Sequence, residues 1–183
     1  MKKIFKITII VLSFMASFMS FSQSIKFGVK AGLNYANTTG SEIKTEAITN
    51  YHAGVVAKVS LTKSFAIQPE LIYSTQGATY KTATKDFENK LGYITIPIML
   101  QANISKSLML ELGPQAGFLL SEKNKFDAND SNTFDFTANV GLGLKITESL
   151  FAQARYGYGL TDIKTDTKFR NSVFQLSVGV LLW

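Results

Sequence analysis

The stretch I-K-F-G-V-K-A-G-L-N-Y, residues 25–35, alternates in character at every step. Ile25, Phe27, Val29, Ala31, Leu33 and Tyr35 fall on one side, and Lys26, Gly28, Lys30, Gly32 and Asn34 on the other. Successive side chains of a strand point to opposite faces, so this pattern predicts a strand with one oily face and one polar face. The pattern recurs in 50–61, where Tyr51, Ala53, Val55, Ala57, Val59 and Leu61 oppose His52, Gly54, Lys58 and Ser60. It recurs in 65–76, where Phe65, Ile67, Leu71 and Tyr73 oppose Gln68, Glu70, Ser74 and Gln76. Five further strands follow at 91–103, 108–120, 134–146, 150–160 and 172–183, eight in all, and a helical period is almost absent.

The connections alternate in length. Thr62-Lys63-Ser64, Ser105-Lys106-Ser107 and Thr147-Glu148-Ser149 are tight, alike in composition and spaced 43 and then 42 residues apart. Four polar stretches, 37–49, 77–90, 121–133 and 161–171, read as long loops. Short turns at one end and long loops at the other predict an all-β, eight-stranded antiparallel up-and-down transmembrane β-barrel of the outer-membrane type, with both termini at the periplasmic end. Strands of about 10 to 13 residues satisfy the roughly 9–11 that a tilted strand needs to cross a bilayer.

Alternation alone does not say which face is inside, since a soluble barrel of the lipocalin type would turn its oily face inward. Glycine supplies the argument. Gly28, Gly32, Gly54, Gly113, Gly117, Gly141, Gly143, Gly157, Gly159 and Gly179 all lie on the polar face. They weaken a water-exposed strand but relieve crowding in a narrow lumen that side chains must just fill. The polar face is therefore assigned to the interior. Tyr35, Tyr51, Tyr73, Phe118, Phe134, Tyr156 and Tyr158 then fall on the outer face towards the loop ends, as an aromatic girdle or as ordinary packing. Pro69, Pro97 and Pro114 lie inside strands and each lacks a ladder donor, so a bulge or local break is expected at each.

The 183 residues suit one domain. Lys2, Lys3 and Lys6 precede an apolar run from Ile7 to Phe21, and Ser20 and Ser22 are small residues before Gln23. This reads as an export signal over 1–22, cleaved before Gln23, with 23–183 as the barrel; the run is short of the roughly 20 residues of a retained helical anchor. Residues 1–22 hold three lysines and no acid, so their removal lowers the net charge from +6 to +3. The remaining charge is scattered, with no basic stripe to follow a phosphate backbone, so no nucleic-acid partner is expected. With no cysteine, a lipoprotein anchor, a disulfide framework and thiolate metal sites are excluded.

The segments FGVKAGLNYA (27–36), FAIQPELIYSTQG (65–77), YITIPIMLQA (93–102), LELGPQAGFLLS (110–121) and VFQLSVGV (173–180) carry fixed glycine and proline positions. In these the chain resembles the PorT-like outer-membrane β-barrel proteins, over essentially the whole length after the signal. The resemblance implies an eight-stranded outer-membrane barrel, in a family whose founding member is tied to protein secretion and surface export. No catalytic motif is among the shared segments. At the C terminus Phe174, Leu176, Val178, Val180 and Leu182 are in phase with the lipid face, and Trp183 lies one residue beyond the usual aromatic signal.

The polar face carries Lys26, Lys30, Lys58, Lys145, Arg155, Glu70 and Glu111. Threading the strands up and down puts Lys30, Lys58, Glu70, Glu111 and Arg155 at similar heights. Buried charges must pair, so a structural charge network filling the lumen is expected, against the rival reading of a gate or an acid–base carboxylate pair. His52 is the sole histidine, which rules out a His cluster for metal; it reads as a polar rim residue, or as the base of a dyad. Asp127-Ala128-Asn129-Asp130-Ser131-Asn132 resembles a calcium loop but lacks the turn glycine, and Ala138 stands where a bidentate Glu is required. No phosphate-binding, dinucleotide or nucleophile-elbow motif occurs. The expectation is a monomeric, non-enzymatic scaffold without cofactor, in the bacterial outer membrane after Sec export, surrounded by lipid and assembled by the barrel-assembly machinery. Its loops would meet an unidentified protein or surface partner. A lipid-modifying barrel enzyme and a small-solute channel are the alternatives.

Overall fold

The computed structural model describes residues 25–39, 45–81, 86–123, 134–161 and 170–182. Eight strands follow in order: β1 (Ile25–Thr39), β2 (Thr45–Ser60), β3 (Phe65–Lys81), β4 (Asp86–Asn103), β5 (Leu108–Lys123), β6 (Phe134–Lys145), β7 (Leu150–Gly159) and β8 (Arg170–Leu181). Each pairs antiparallel with its sequence neighbours, and β1 also pairs with β8, so the sheet is a closed barrel. Closure leaves no strand with a free edge, which is the condition for a sheet to reside in hydrocarbon.

The three tight turns share one geometry, which explains their shared composition. The amides of Leu61 and Thr62 both donate to the Phe65 carbonyl, at 2.9 and 3.0 Å, and the Thr62 hydroxyl accepts from the amides of Ser64 and Phe65. Ser105 and Thr147 repeat these contacts towards Leu108 and Leu150. A Ser or Thr in the first position satisfies two turn amides that no strand partner reaches.

Polarity is inverted relative to a soluble protein. Among the described residues 34 large hydrophobic side chains are exposed, whereas 18 polar or charged residues are buried against 10 hydrophobic ones. So long an apolar exterior is stable only against lipid, and the polar face is the lumen. Val56, Ile72, Met99, Met109 and Phe151 are apolar exceptions that fill lumen volume. Gly179 faces Phe151 across the β7–β8 ladder, and a Cβ there would run into the phenyl ring. Outside, the ladders set Tyr35 beside Phe174 and Phe174 beside Tyr156; Phe118 and Phe134 meet edge-on at 5.5 Å, and the Tyr156 hydroxyl accepts from Ser172.

One expectation holds and one is corrected. The ladders do break at the prolines: β2–β3 pairing skips Pro69, β3–β4 skips Pro97 and β4–β5 skips Pro114, but each resumes in the same register. The register shifts lie elsewhere, between Ala47 and His52 and at Gly92/Tyr93. Second, much of 77–90 is strand rather than loop, paired as far as Lys81 with Asp86. Polar composition there marks water, not loss of pairing, since Thr and Tyr favour an extended ladder. At 16 to 18 residues β2–β5 are much longer than β6–β8, at 10 to 12, and their excess lies at the long-loop end. Residues 1–24, which include the segment expected to act as an export signal, the segment 127–132 and Trp183 lie outside the described residues.

Candidate functional site in the barrel lumen

Strand periodicity delivers the lumen residues in register: residues two apart line one face, so Gln68 and Glu70 on β3, and Gln153 and Arg155 on β7, point inward together. In an eight-stranded barrel β3 and β7 stand diametrically opposite. Arg155 nevertheless reaches Glu70 with both guanidinium arms, Nη1 to Oε2 at 3.1 Å and Nη2 to Oε1 at 2.9 Å. Its Nη2 also donates to Glu111 Oε2 at 3.1 Å, and Lys30 Nζ lies 2.8 Å from Glu70 Oε2. Three amides complete the belt. Gln153 and Gln101 donate to Glu111 Oε1 at 2.5 and 2.8 Å, Gln101 also donates to Gln68 Oε1, and Gln68 donates to Glu70 Oε1 at 2.8 Å. Two cations and two anions make the cluster neutral, and its four charged members are 0–4% exposed.

The structure brings together Lys30, Glu70, Glu111 and Arg155, and leaves out Lys58, whose Nζ has Met109 Sδ at 3.8 Å as its one side-chain partner among the described residues. The reason is register. Lys58 pairs with Lys26, whereas Lys30 pairs with Gly54, so Lys58 sits four residues nearer the short-turn end. At about 3.3 Å per residue that is roughly 13 Å, too far to join the belt. Gln68, Gln101 and Gln153 were not singled out by sequence; their only signal was their phase with Glu70, Glu111 and Arg155.

Above the belt lies a second polar cluster. His52 is buried in the lumen, 1% exposed, and is not a rim residue: β2 begins at Thr45, so the position that reads as a strand end is interior. Asn34 Nδ2 donates to the Thr75 carbonyl at 2.8 Å and to Ser74 Oγ at 2.9 Å, which fixes the amide orientation. Asn34 Oδ1 must then accept from His52 Nδ1, at 2.7 Å, and from Gln175 Nε2 at 3.0 Å. This assigns the tautomer, so His52 Nε2 accepts from Ser177 Oγ at 2.8 Å. Towards the long-loop end Asp135 accepts from Thr137 and Thr161. No group of three or more His, Cys, Asp or Glu side chains suited to a metal ion occurs among the described residues.

Below the belt, at the short-turn end, the lumen opens into a vestibule of about 990 Å³. Lys26, Lys58, Lys63, Lys106 and Lys145 line it with one acid, Glu148. Lys145 pairs with Glu148 at 2.6 Å, and this hydrogen bond and charge hold the Glu148 carboxyl below its usual range.

Residues 21–165 match the family model described as outer membrane protein beta-barrel domain. The chain belongs to this family. Membership locates it in the bacterial outer membrane. Among solved structures it is similar to Neisserial surface protein A, with a TM-score of 0.62 at 15% identity, covering 87% of this chain and 99% of that one. It is similar to Ail, the attachment invasion locus protein of Yersinia pestis, with a TM-score of 0.53 at 11% identity, covering 86% and 98%. It is also similar to the outer membrane enzyme PagL, with a TM-score of 0.52 at 11% identity, covering 85% and 99%. Such identities speak for a shared fold alone. No curated protein sequence matches the chain.

Proposed function

We propose that this family member is a non-enzymatic outer-membrane scaffold with a lumen closed to bulk solute, acting through what it presents at the long-loop rim. Residues 1–22 would direct Sec export and be removed before Gln23, and 23–183 would insert as a monomer with the help of the barrel-assembly machinery. The observation that carries the closed lumen is the bidentate contact between Arg155 and Glu70, from diametrically opposite strands. A pore passing through that level would have to break it. Rim presentation draws support from β2–β5, whose paired backbones run well past the roughly 9–11 residues a bilayer requires. Within this reading the PorT-like resemblance favours a partner in secretion or surface export, and a protein partner would meet the rim. Recordings in planar bilayers should show no steady conductance; a large, persistent open state would overturn the closed lumen. Photocrosslinkers placed along the β3–β4 hairpin in intact cells should capture a discrete partner, and their failure at every position would remove the rim role.

One observation favours a second reading, a lipid-modifying enzyme. Ser177, His52 and Asn34 form a relay in the order of a nucleophile, base and orienting group. Both Ser177 and His52 point into the lumen and are buried, away from the lipid where an acyl ester would lie. The relay is therefore assigned to packing. His52→Ala and Ser177→Ala cells should keep an unaltered lipid A profile, and a changed acyl pattern in both would restore the enzyme.

A further inference from the structure

We propose that the short-turn vestibule is a binding site for a phosphate-bearing anion of about headgroup size. Three observations converge on it. The first is charge: five lysines and one glutamate line the cavity, and with Lys145 and Glu148 paired, four ammonium groups have no carboxylate partner among the described residues. The second is register. Lys26 and Lys58 are direct cross-strand partners on the lumen face of β1 and β2. Like charges directly opposite one another are destabilising, and at 4% exposure Lys30, only four residues along β1, shows that this lumen can supply a carboxylate when one is required. A vestibule that holds two opposed lysines with no carboxylate at ion-pair distance among the described residues is complementary to an anion from outside. The third is shape. The cavity is open to the periplasmic side, is floored by Gln68 and Gln101 of the neutral belt, and has the volume of sites that take headgroup-sized or larger ligands.

The chemistry of the lining selects the ligand class. Planar carboxylates favour the fork of arginine, but Arg155, the one buried arginine among the described residues, has both terminal nitrogens committed to Glu70 and Glu111. Lysines are compact point charges that converge on a multiply charged tetrahedral oxyanion without demanding one plane. Both an anionic phospholipid headgroup from the inner leaflet and a soluble periplasmic phosphate ester offer that chemistry. Lys63 and Lys106, at the tips of two tight turns, stand where either would enter.

The test uses isotope-labelled protein refolded into phosphatidylcholine nanodiscs and titrated with pyrophosphate at fixed ionic strength. Saturable amide shifts should appear at Lys26, Lys58, Lys145 and the three tight turns, and not at His52 or Ser177. Lys58→Met, which retains the packing against Met109, should weaken binding about tenfold, as removal of one charge-assisted contact implies. Lys26→Gln serves as a second variant should the first fail to refold. Repeating the titration in nanodiscs containing phosphatidylglycerol separates the sources. Vestibule shifts already present there, with pyrophosphate displaced, identify the lipid headgroup; undiminished pyrophosphate binding identifies a soluble ligand. Absence of saturation, or shifts spread over all exposed lysines and unchanged in both variants, would overturn the proposal.

Discussion

Lys26 and Lys30 are four residues apart on one strand and face the same lumen, yet their surroundings are opposite. Lys30 is buried in a neutral belt, 2.8 Å from Glu70 and 3.2 Å from Gln153 Oε1. Lys26 is half-buried at the mouth and faces Lys58. Neither residue type nor strand phase distinguishes them. What does is how many strands converge at each level: the belt collects side chains from β1, β3, β4, β5 and β7, whereas the mouth is ringed by turns that carry lysine at two tips of three. The interior thus holds a sealed level and an open one, and altering each should have different consequences.

The largest effect is expected in the belt. Arg155→Met leaves Glu70 and Glu111 with Lys30 as the one remaining cation of the belt, inside a level with little access for water. Breaking a buried pair from one side costs about 3–5 kcal/mol, so urea unfolding from micelles should show a loss of that size. A loss under about 1 kcal/mol would mean that water solvates the carboxylates and that the two levels are not different after all.

Next comes the seam between the levels, where Gly179 makes room for Phe151. Gly179→Ala pushes a methyl group into the ring, an overpacking that costs about 1–3 kcal/mol. Phe151→Leu in the same chain should recover most of that loss in the same unfolding experiment; a double variant no more stable than the single would show that the backbone, not the ring, sets the limit.

How far these differences could be read beforehand depends on what fixes register. The tight turns at Thr62, Ser105 and Thr147 lock β2–β3, β4–β5 and β6–β7, and alternation then gives each strand's inner face, so Glu70, Glu111 and Arg155 are recognisable as one layer, whereas Lys30 on β1 joins them only by its phase and its distance from the start of the strand. Lys58 was misplaced because β1 and β2 are joined through a long connection whose length does not set their offset, and that offset decides whether Lys58 meets Lys30 or Lys26. His52 was read as a rim residue because polar sequence beyond Asn50 resembles a loop, while its backbone stays paired. The relay to Ser177 joins β2 to β8, neighbours of β1 on its two sides, through a closure that no local pattern encodes.

The open level responds in the opposite direction to the belt. Replacing Lys58 by Met relieves the repulsion from Lys26 and should raise stability by about 0.2–1 kcal/mol in anion-free buffer. Destabilisation instead would mean that attraction to Glu111 outweighs repulsion from Lys26 and Lys145, and the contrast with Lys30 would vanish.

The smallest effect concerns Glu148. Its pKa is lowered by the hydrogen bond and charge of Lys145, so any stability it supplies is present above its unfolded pKa and is lost as pH falls through the lowered folded value. The carboxylate is fully in water, where salt screens such a pair, so Glu148→Gln should leave the unfolding midpoint unchanged at neutral pH. Its effect should instead appear as charge. Removing the one acid among the lining residues raises the vestibule from +4, five lysines less one glutamate, to +5, while the belt stays neutral. Pyrophosphate should then bind more tightly and with a steeper dependence on salt, in a protein of unaltered stability. Equal affinity in the two proteins would show that Lys145, freed from Glu148, does not face the anion, and would confine the site to Lys26, Lys58 and the turn lysines.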